Sequence, residues 1–334
     1  MNDEPRNAAQ DETAPTKSAR QAVAMRASVF AEAWRWAALA VPLLAIAELL
    51  THWFEVTRTP TSAQWDAVVP VVLQLAQPSD LVTIAPAWAD PIGRQHLGRG
   101  LMTIERVAYP DLSRFSRAIE VGLRGSSRDD LRDWTVVGKQ DVGPFLVRVR
   151  QNPHFVPLID DLLGHVAPTA MIVQRVDGSN VLECPYAHGS FGTTGDLFGP
   201  AVPGDAFRCP SAVPIGVTVM PVLDYSARRC LLAQPPGGSA KLVFRFRDVL
   251  FGRAIVGHHG LYVHAERKQA GAPISLVVRG PRGAIADLAH NDGDGWKAFE
   301  LPTGDLAGTH GELVFEVSAA SSADRVYCFE GSTR

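Results

Sequence analysis

Three groups of residues in this sequence are of types that do chemistry. In the stretch APAWADPIGRQHLGRG, Trp88, Asp90, Arg94 and His96 stand close together among Pro and Gly bends. An acid, a base and an aromatic platform set this way could hold a sugar or a phosphate, and the plainer account is that Arg94 pairs with Asp90 while Trp88 covers a core edge. In VGHHGLY, His258 and His259 are neighbours, and neighbours on a strand point to opposite faces. They could ligate one metal only through a bend, which Gly257 and Gly260 could supply and which His264 or His290 could join. The plainer account is a pair of hydrogen-bonded histidines near a turn. In HNDGDGW, Asn291, Asp292 and Asp294 offer oxygens in a Gly-rich loop as a calcium site does. The twelfth-position Glu of an EF-hand is missing, and a hairpin turn built on DG explains the same residues. The expectation is therefore no cofactor, with calcium at Asn291, Asp292 and Asp294 as the alternative.

Signatures of catalysis are absent. The chain has no GxSxG elbow, no P-loop, no HExxH and no dinucleotide fingerprint. The carboxylate pairs Asp129 and Asp130, and Asp160 and Asp161, read as solvated helix faces. Catalytic residues are therefore unassigned. A glycosidase-type enzyme stays open, because its two acids need not be close in sequence.

The elements that must position these groups begin with an apolar run, Trp36 to Phe54, WAALAVPLLAIAELLTHWF. It approaches the roughly 20 residues of a bilayer-spanning helix. Pro42 and Glu48 lie within it, and Trp34, Trp36, His52 and Trp53 sit at its ends, where amphipathic rings favour the interface. Residues 1–28 read as a disordered tail, polar and nearly free of large apolar side chains, and residues 29–56 as a single uncleaved signal anchor. Lys17, Arg20, Arg26 and Arg35 precede the run and only Arg58 follows closely. The positive-inside tendency then leaves the amino terminus in the cytoplasm and the bulk of the chain periplasmic or extracellular, on an inner (cytoplasmic) membrane.

Cysteine usage agrees with that placement. All four, Cys184, Cys209, Cys230 and Cys328, lie beyond the apolar run and none forms a CxxC pair. Three pairings are open. The preferred one joins Cys184 to Cys209 across a Gly/Pro-rich loop and Cys230 to Cys328 across the ends of a domain. The 32 Lys and Arg are scattered among 35 Asp and Glu, for a net charge of −3, which gives no basic face for nucleic acid.

Residues 60–152 alternate helix and strand signals. SAQWDAVVPVVLQLAQ has the spacing of an amphipathic helix despite Pro70, LVTIAP that of a buried strand, and APAWADPIGRQHLGRG that of a loop beyond its end. Helices are predicted near Leu112 to Glu120 and Ser127 to Trp134, the latter with a Ser127–Asp130 capping box, then strands TVVGK and FLVRVRQ. From about Pro168 the period becomes two: a hairpin at DGS, a long loop over residues 187–214, then nine short strands with no helix between them. The fold class expected is α+β and multidomain: a single amino-terminal transmembrane helix, a small α/β domain at 60–152, and an antiparallel β-sandwich of jelly-roll type at 168–334.

Two resemblances follow from these stretches. Trp65 and Asp66 in the first helix, the PSD turn and LVTIAPAW resemble the extracytoplasmic domain of bacterial protein-mannosyltransferase-type glycosyltransferases. Those enzymes carry catalysis on a many-helix membrane domain, so the likeness implies an accessory of glycan assembly. From Leu231 to Gly331, KLVFRF, GRAIVGHHGLY, ISLVVRGPRGAIADL, GWKAFELP and DLAGTHGELVFEVSA are similar to galactose-binding-like jelly rolls, the fold of many carbohydrate-binding modules. That likeness implies a sandwich in which Trp296 anchors the core. The combined expectation is a membrane-anchored binding or scaffolding protein of envelope glycan assembly or recognition. Its partners would be the lipid bilayer, a glycan, and a membrane glycosyltransferase or other envelope protein. The alternative is an envelope hydrolase or transferase with its site between the α/β part and the sandwich.

Overall fold

The computed structural model describes residues 40–54, 59–189, 204–210 and 213–334. Ser62–Arg334 forms one compact unit and the residues before it another. In that first unit residues 40–54 form helix α1, and its large apolar side chains, Val41, Leu43, Leu44 and Trp53 among them, are all exposed. The expected tail at 1–28, and residues 29–39, 55 and 56 of the expected anchor, lie outside the described residues. Among the described residues no helix is long and apolar enough to cross a membrane.

The larger unit begins with α2 (Ser62–Leu75), which runs through Pro70 and buries Trp65, Val68 and Val72. These pack on the inner face of a sheet made of β1 (Leu81–Ala85), β2 (Arg117–Leu123), β3 (Thr135–Val142) and β4 (Phe145–Gln151), in the order β1-β2-β4-β3. β1 is parallel to β2, and the other pairs are antiparallel. Val82, Ile84, Ile119, Val121, Phe145 and Val147 face the helices.

Three stretches of this part differ from the elements expected of them. The stretch expected as a loop after β1 holds most of α3 (Asp90–Leu101), and α4 (Ile104–Val107) follows it. Pro91 suits the first turn of α3, where its missing N–H costs nothing, and Asp90 lies at the positive end of the helix dipole. Leu112 to Glu120 is not a helix: a 3₁₀ turn at Leu112–Arg114 precedes β2. The helix expected from Ser127 is only a 3₁₀ turn at Asp129–Leu131. There Ser127 does not cap. Its hydroxyl donates to buried Glu120 at 2.9 Å, as does the Arg128 N–H at 2.6 Å.

Next come β5 (Asp160–Asp161), β6 (Met171–Asp177), β7 (Asn180–Glu183), β8 (Tyr186–Ala187), β9 (Ala206–Phe207), β10 (Val217–Pro221), β11 (Ala227–Leu232), β12 (Lys241–Leu250) and β13 (Ala254–Leu261). After them α5 (Val263–Lys268) precedes β14 (Ile274–Gly280), β15 (Gly283–His290), β16 (Lys297–Pro302), β17 (His310–Ala319) and β18 (Tyr327–Thr333). One six-stranded sheet runs β10-β11-β18-β13-β16, with β5 against β18, and a second runs β15-β14-β17-β12-β6-β7. Phe244 of β12 and Phe315 of β17 meet Phe329 of β18 across a single core, with ring centroids 5.3 and 5.0 Å apart. This is the arrangement of a β-sandwich, mostly strand with few helices. Gly178 turns the β6–β7 hairpin at φ 58°, a value at home in glycine.

Two expectations fail in this half. A helix does intervene between strands: α5 turns Glu266 fully inward, where it accepts the Gly295 N–H at 2.6 Å. Asp160 and Asp161 are not solvated helix faces. They form β5, Asp160 accepts from the Leu250 N–H, and Asp161 accepts from Arg114 at 2.8 Å. Residues 190–203, 211 and 212 of the expected loop lie outside the described residues. Both preferred disulfides, Cys184–Cys209 and Cys230–Cys328, are formed.

Candidate functional site

The α/β part and the sandwich are fastened side against face. The Arg114 guanidinium lies 3.6 Å over the Tyr109 ring and pairs with Asp161. Arg229 donates to the Tyr109 hydroxyl, and its N–H reaches the Ala108 carbonyl at 3.0 Å. Arg334 binds Asp111 and Ser113. Beside these ties a groove of about 620 Å³ remains, floored by β13 and β16 and walled by Pro110–Ser113 and Val156.

The strand alternation decides what enters that groove. Ala254, Val256 and His258 of β13 lie on the outward face and line it, and Ile255 and His259 go to the core. On β16, Ala298 and Glu300 face out between buried Phe299 and Leu301. The register sets His258 opposite Ala298 and Val256 opposite Glu300, so His258 and Glu300 are diagonal neighbours at about 7–8 Å. His258 Nδ1 lies 2.7 Å from Glu330 Oε1 on β18. Burial pushes the Glu330 carboxyl up, and the His258 hydrogen bond works against that rise. Trp296 stacks parallel to the His258 ring, 6.1 Å between centroids and 3° between planes. It can come that close because residue 260 is glycine: a Cβ there would lie 2.7 Å from the indole. Arg253 at one end of the groove and Glu300 on its floor have no ion-pair or side-chain hydrogen-bond partner among the described residues.

The residues singled out in the sequence divide differently. Arg94 is spent on Asp90, at 2.6 Å, and on the Met102 carbonyl. His96 reaches back to Asp66 on α2 at 2.8 Å, and Trp88 stands apart, 63% exposed. His259 is in the core, 2.8 Å from the Tyr327 hydroxyl and beside His290. Burial lowers its pKa to about 3. His264 instead packs edge-on to Tyr262. Asp292 accepts from the Gly271 N–H and from Arg325, and Asp294 accepts from the Asn291 N–H and Lys297. That backbone bond holds the Asp294 carboxyl below its ordinary range. Among the described residues no three or more His, Cys, Asp or Glu are grouped to hold a metal ion.

Glu300, Glu330 and Arg253 were not singled out from the sequence. The alternation of AIVGHHG and KAFELP would have placed Glu300 and His258 on outward faces, but nothing local pairs β13 with β16 and β18.

No family model matches this chain, and no curated protein matches it. Solved structures that overlap it include one of CBM51-2 in complex with GlcNAc and INT domains from Clostridium perfringens ZmpB. That likeness has 11% identity, a TM-score of 0.26, and covers 49% of this chain and 37% of the other. Another is the enzymatically active domain of bacteriophage CBA120 tailspike protein 4, at 19% identity, a TM-score of 0.18, and 35% and 17% coverage. This chain thus spans well under two thirds of either structure. At such TM-scores neither likeness bears on its activity. The protein-mannosyltransferase resemblance gains no support from these matches.

Proposed function

We propose that this protein is a membrane-anchored, extracytoplasmic glycan-binding or scaffolding component of the cell envelope, and that the groove between the α/β part and the sandwich is its glycan contact. The α/β domain at 60–152 and the jelly-roll sandwich at 168–334 are its two outer domains, and another envelope protein is its protein partner. The observation that carries the glycan reading is the groove's lining. Glu300 and Arg253 bring an unpaired acceptor and an unpaired donor of opposite charge to a floor that also presents the apolar Ala254, Val256 and Ala298 beside His258. Such a mixture suits a polyhydroxyl ligand, which has hydroxyls for the polar groups and C–H faces for the apolar ones.

Anchoring is supported by the apolar run from Trp36, by the basic residues ahead of it, and by the exposed apolar surface of α1. The two disulfides favour an oxidising compartment. A glycan array probed with the full chain in detergent tests the binding: retention is expected, weakened about tenfold by Glu300→Ala. Retention of no glycan would sink this reading. A reporter fused after Arg334 tests the placement, and cytoplasmic activity of that reporter would overturn it.

A further inference from the structure

We infer that the same groove is hydrolytic and cleaves O-acyl esters of carbohydrates, with His258 as its catalytic base. This rests on the glycan reading above. Glu330 is the first reason. It lies on the face of β18 that the α/β part covers, its side chain only 6% exposed, where an unpaired carboxylate would be costly. Its Oε1 is committed to His258 Nδ1; with Glu330 ionised, Nδ1 carries the proton and the lone pair is left on Nε2. The Trp296 stack holds the ring plane. Nε2 has no protein partner among the described residues, and its ring lines the groove at 14% exposure. An imidazole oriented by a carboxylate, with its other nitrogen open to a cavity, is the geometry of a general base.

The surrounding groups narrow the reaction. Ser113 is the one hydroxyl among the residues that line the groove, and it accepts from Arg334. It is not paired with His258, so the nucleophile is water. Glycosidic cleavage calls for two opposed carboxyl groups. Here Asp111 is taken by Arg334, which leaves Glu300 alone. Ester hydrolysis needs only one group that works as base and then as acid. His258 Nε2 takes a proton from water as the water oxygen bonds to the acyl carbon. The bond from that carbon to the sugar oxygen then breaks, and the imidazolium returns the proton to the leaving oxygen. Ester and water become carboxylic acid and sugar hydroxyl, with no oxidant, reductant or cofactor. Glu300, diagonal to His258, accepts from sugar hydroxyls, and Arg253 donates from the groove's end.

The test is acetate release from acetylated xylan by the full chain. The wild type is expected to release acetate, His258→Ala to lose at least about 100-fold in kcat/KM, and added imidazole to restore part of the loss in that variant. Glu330 is a positioning residue: Glu330→Gln should lower kcat, leave KM unchanged and move the ascending limb of the pH profile to lower pH. A folded His258→Ala as active as the wild type overturns the inference. So does the absence of acetate release when the array still shows glycan binding, which leaves the glycan reading intact. If His258→Ala does not fold, the Glu330→Gln pH profile decides: an unmoved limb overturns the role of the pair.

Discussion

His258 and His259 are consecutive, yet their imidazoles end in opposite environments. One meets Glu330 at 2.7 Å in the groove, and the other meets the Tyr327 hydroxyl at 2.8 Å in the sandwich core. The strand's two-residue alternation alone separates them.

That separation makes His259 a source of acid sensitivity. Its pKa in the fold is about 3, because burial disfavours the charged ring, against about 6.5 in the unfolded chain. Between those values the unfolded state binds more protons, so stability falls as pH falls. From pH 6.5 to 5 the loss through this residue is about 2 kcal/mol. Glu330, whose carboxyl is raised in the fold, works in the opposite sense nearer its own range. Urea midpoints at pH 7 and pH 5 should therefore converge in His259→Gln relative to the wild type. An identical pH dependence in both would rule out His259 as the cause.

Glu120 holds together the outer face of the four-stranded sheet. Fully buried, it accepts from Ser127, the Arg128 N–H, Arg148 and Arg150. Glu120→Gln leaves two guanidinium groups without their countercharge. Removing one partner of a buried ion pair costs about 3–5 kcal/mol, so a loss of that order is expected in chemical denaturation. A loss below about 1 kcal/mol would show that water replaces the carboxylate there.

The disulfides should differ in weight. Cys230–Cys328 spans 98 residues and Cys184–Cys209 spans 25. Loop entropy then assigns about 4.7 and about 3.5 kcal/mol. Double Cys→Ala variants compared under oxidising conditions should rank in that order. The reverse ranking would mean that the residual structure of the unfolded chain, not loop length, governs the effect.

Asp292 answers a fully buried Arg325 at 2.6 Å. Asp292→Ala should thus cost several kcal/mol, and calcium should not change the Tm of the wild type. A calcium-dependent rise in Tm would assign Asn291, Asp292 and Asp294 to the ion after all.

Much of the sandwich was legible because each strand writes its burial in alternate residues: ISLVVRG buries Ile274, Leu276 and Val278 and turns the intervening side chains out. Both cysteine pairs followed from the loop and domain ends they close. The helix at Asp90–Leu101 was not legible, since its Gly and Pro content is that of a loop and its support comes from Asp66 and Trp65 on another helix. The groove was less legible still. His258 and Glu330 are 72 residues apart, and Glu300 joins them only through strand register, which no local pattern records.

The place of β18 has a consequence for how this chain is made. It lies between β11 and β13, pairs with β5, and carries Cys328, yet it comes after every other strand of the sandwich in chain order. Until Tyr327–Thr333 arrives, β11 and β13 have no neighbour on their facing edges, and the groove lacks Glu330. Assembly must therefore wait for nearly the whole sandwich to emerge, with open strand edges in the interval that invite pairing between molecules. A chaperone that shields such edges would therefore limit pairing between molecules until β18 is in place.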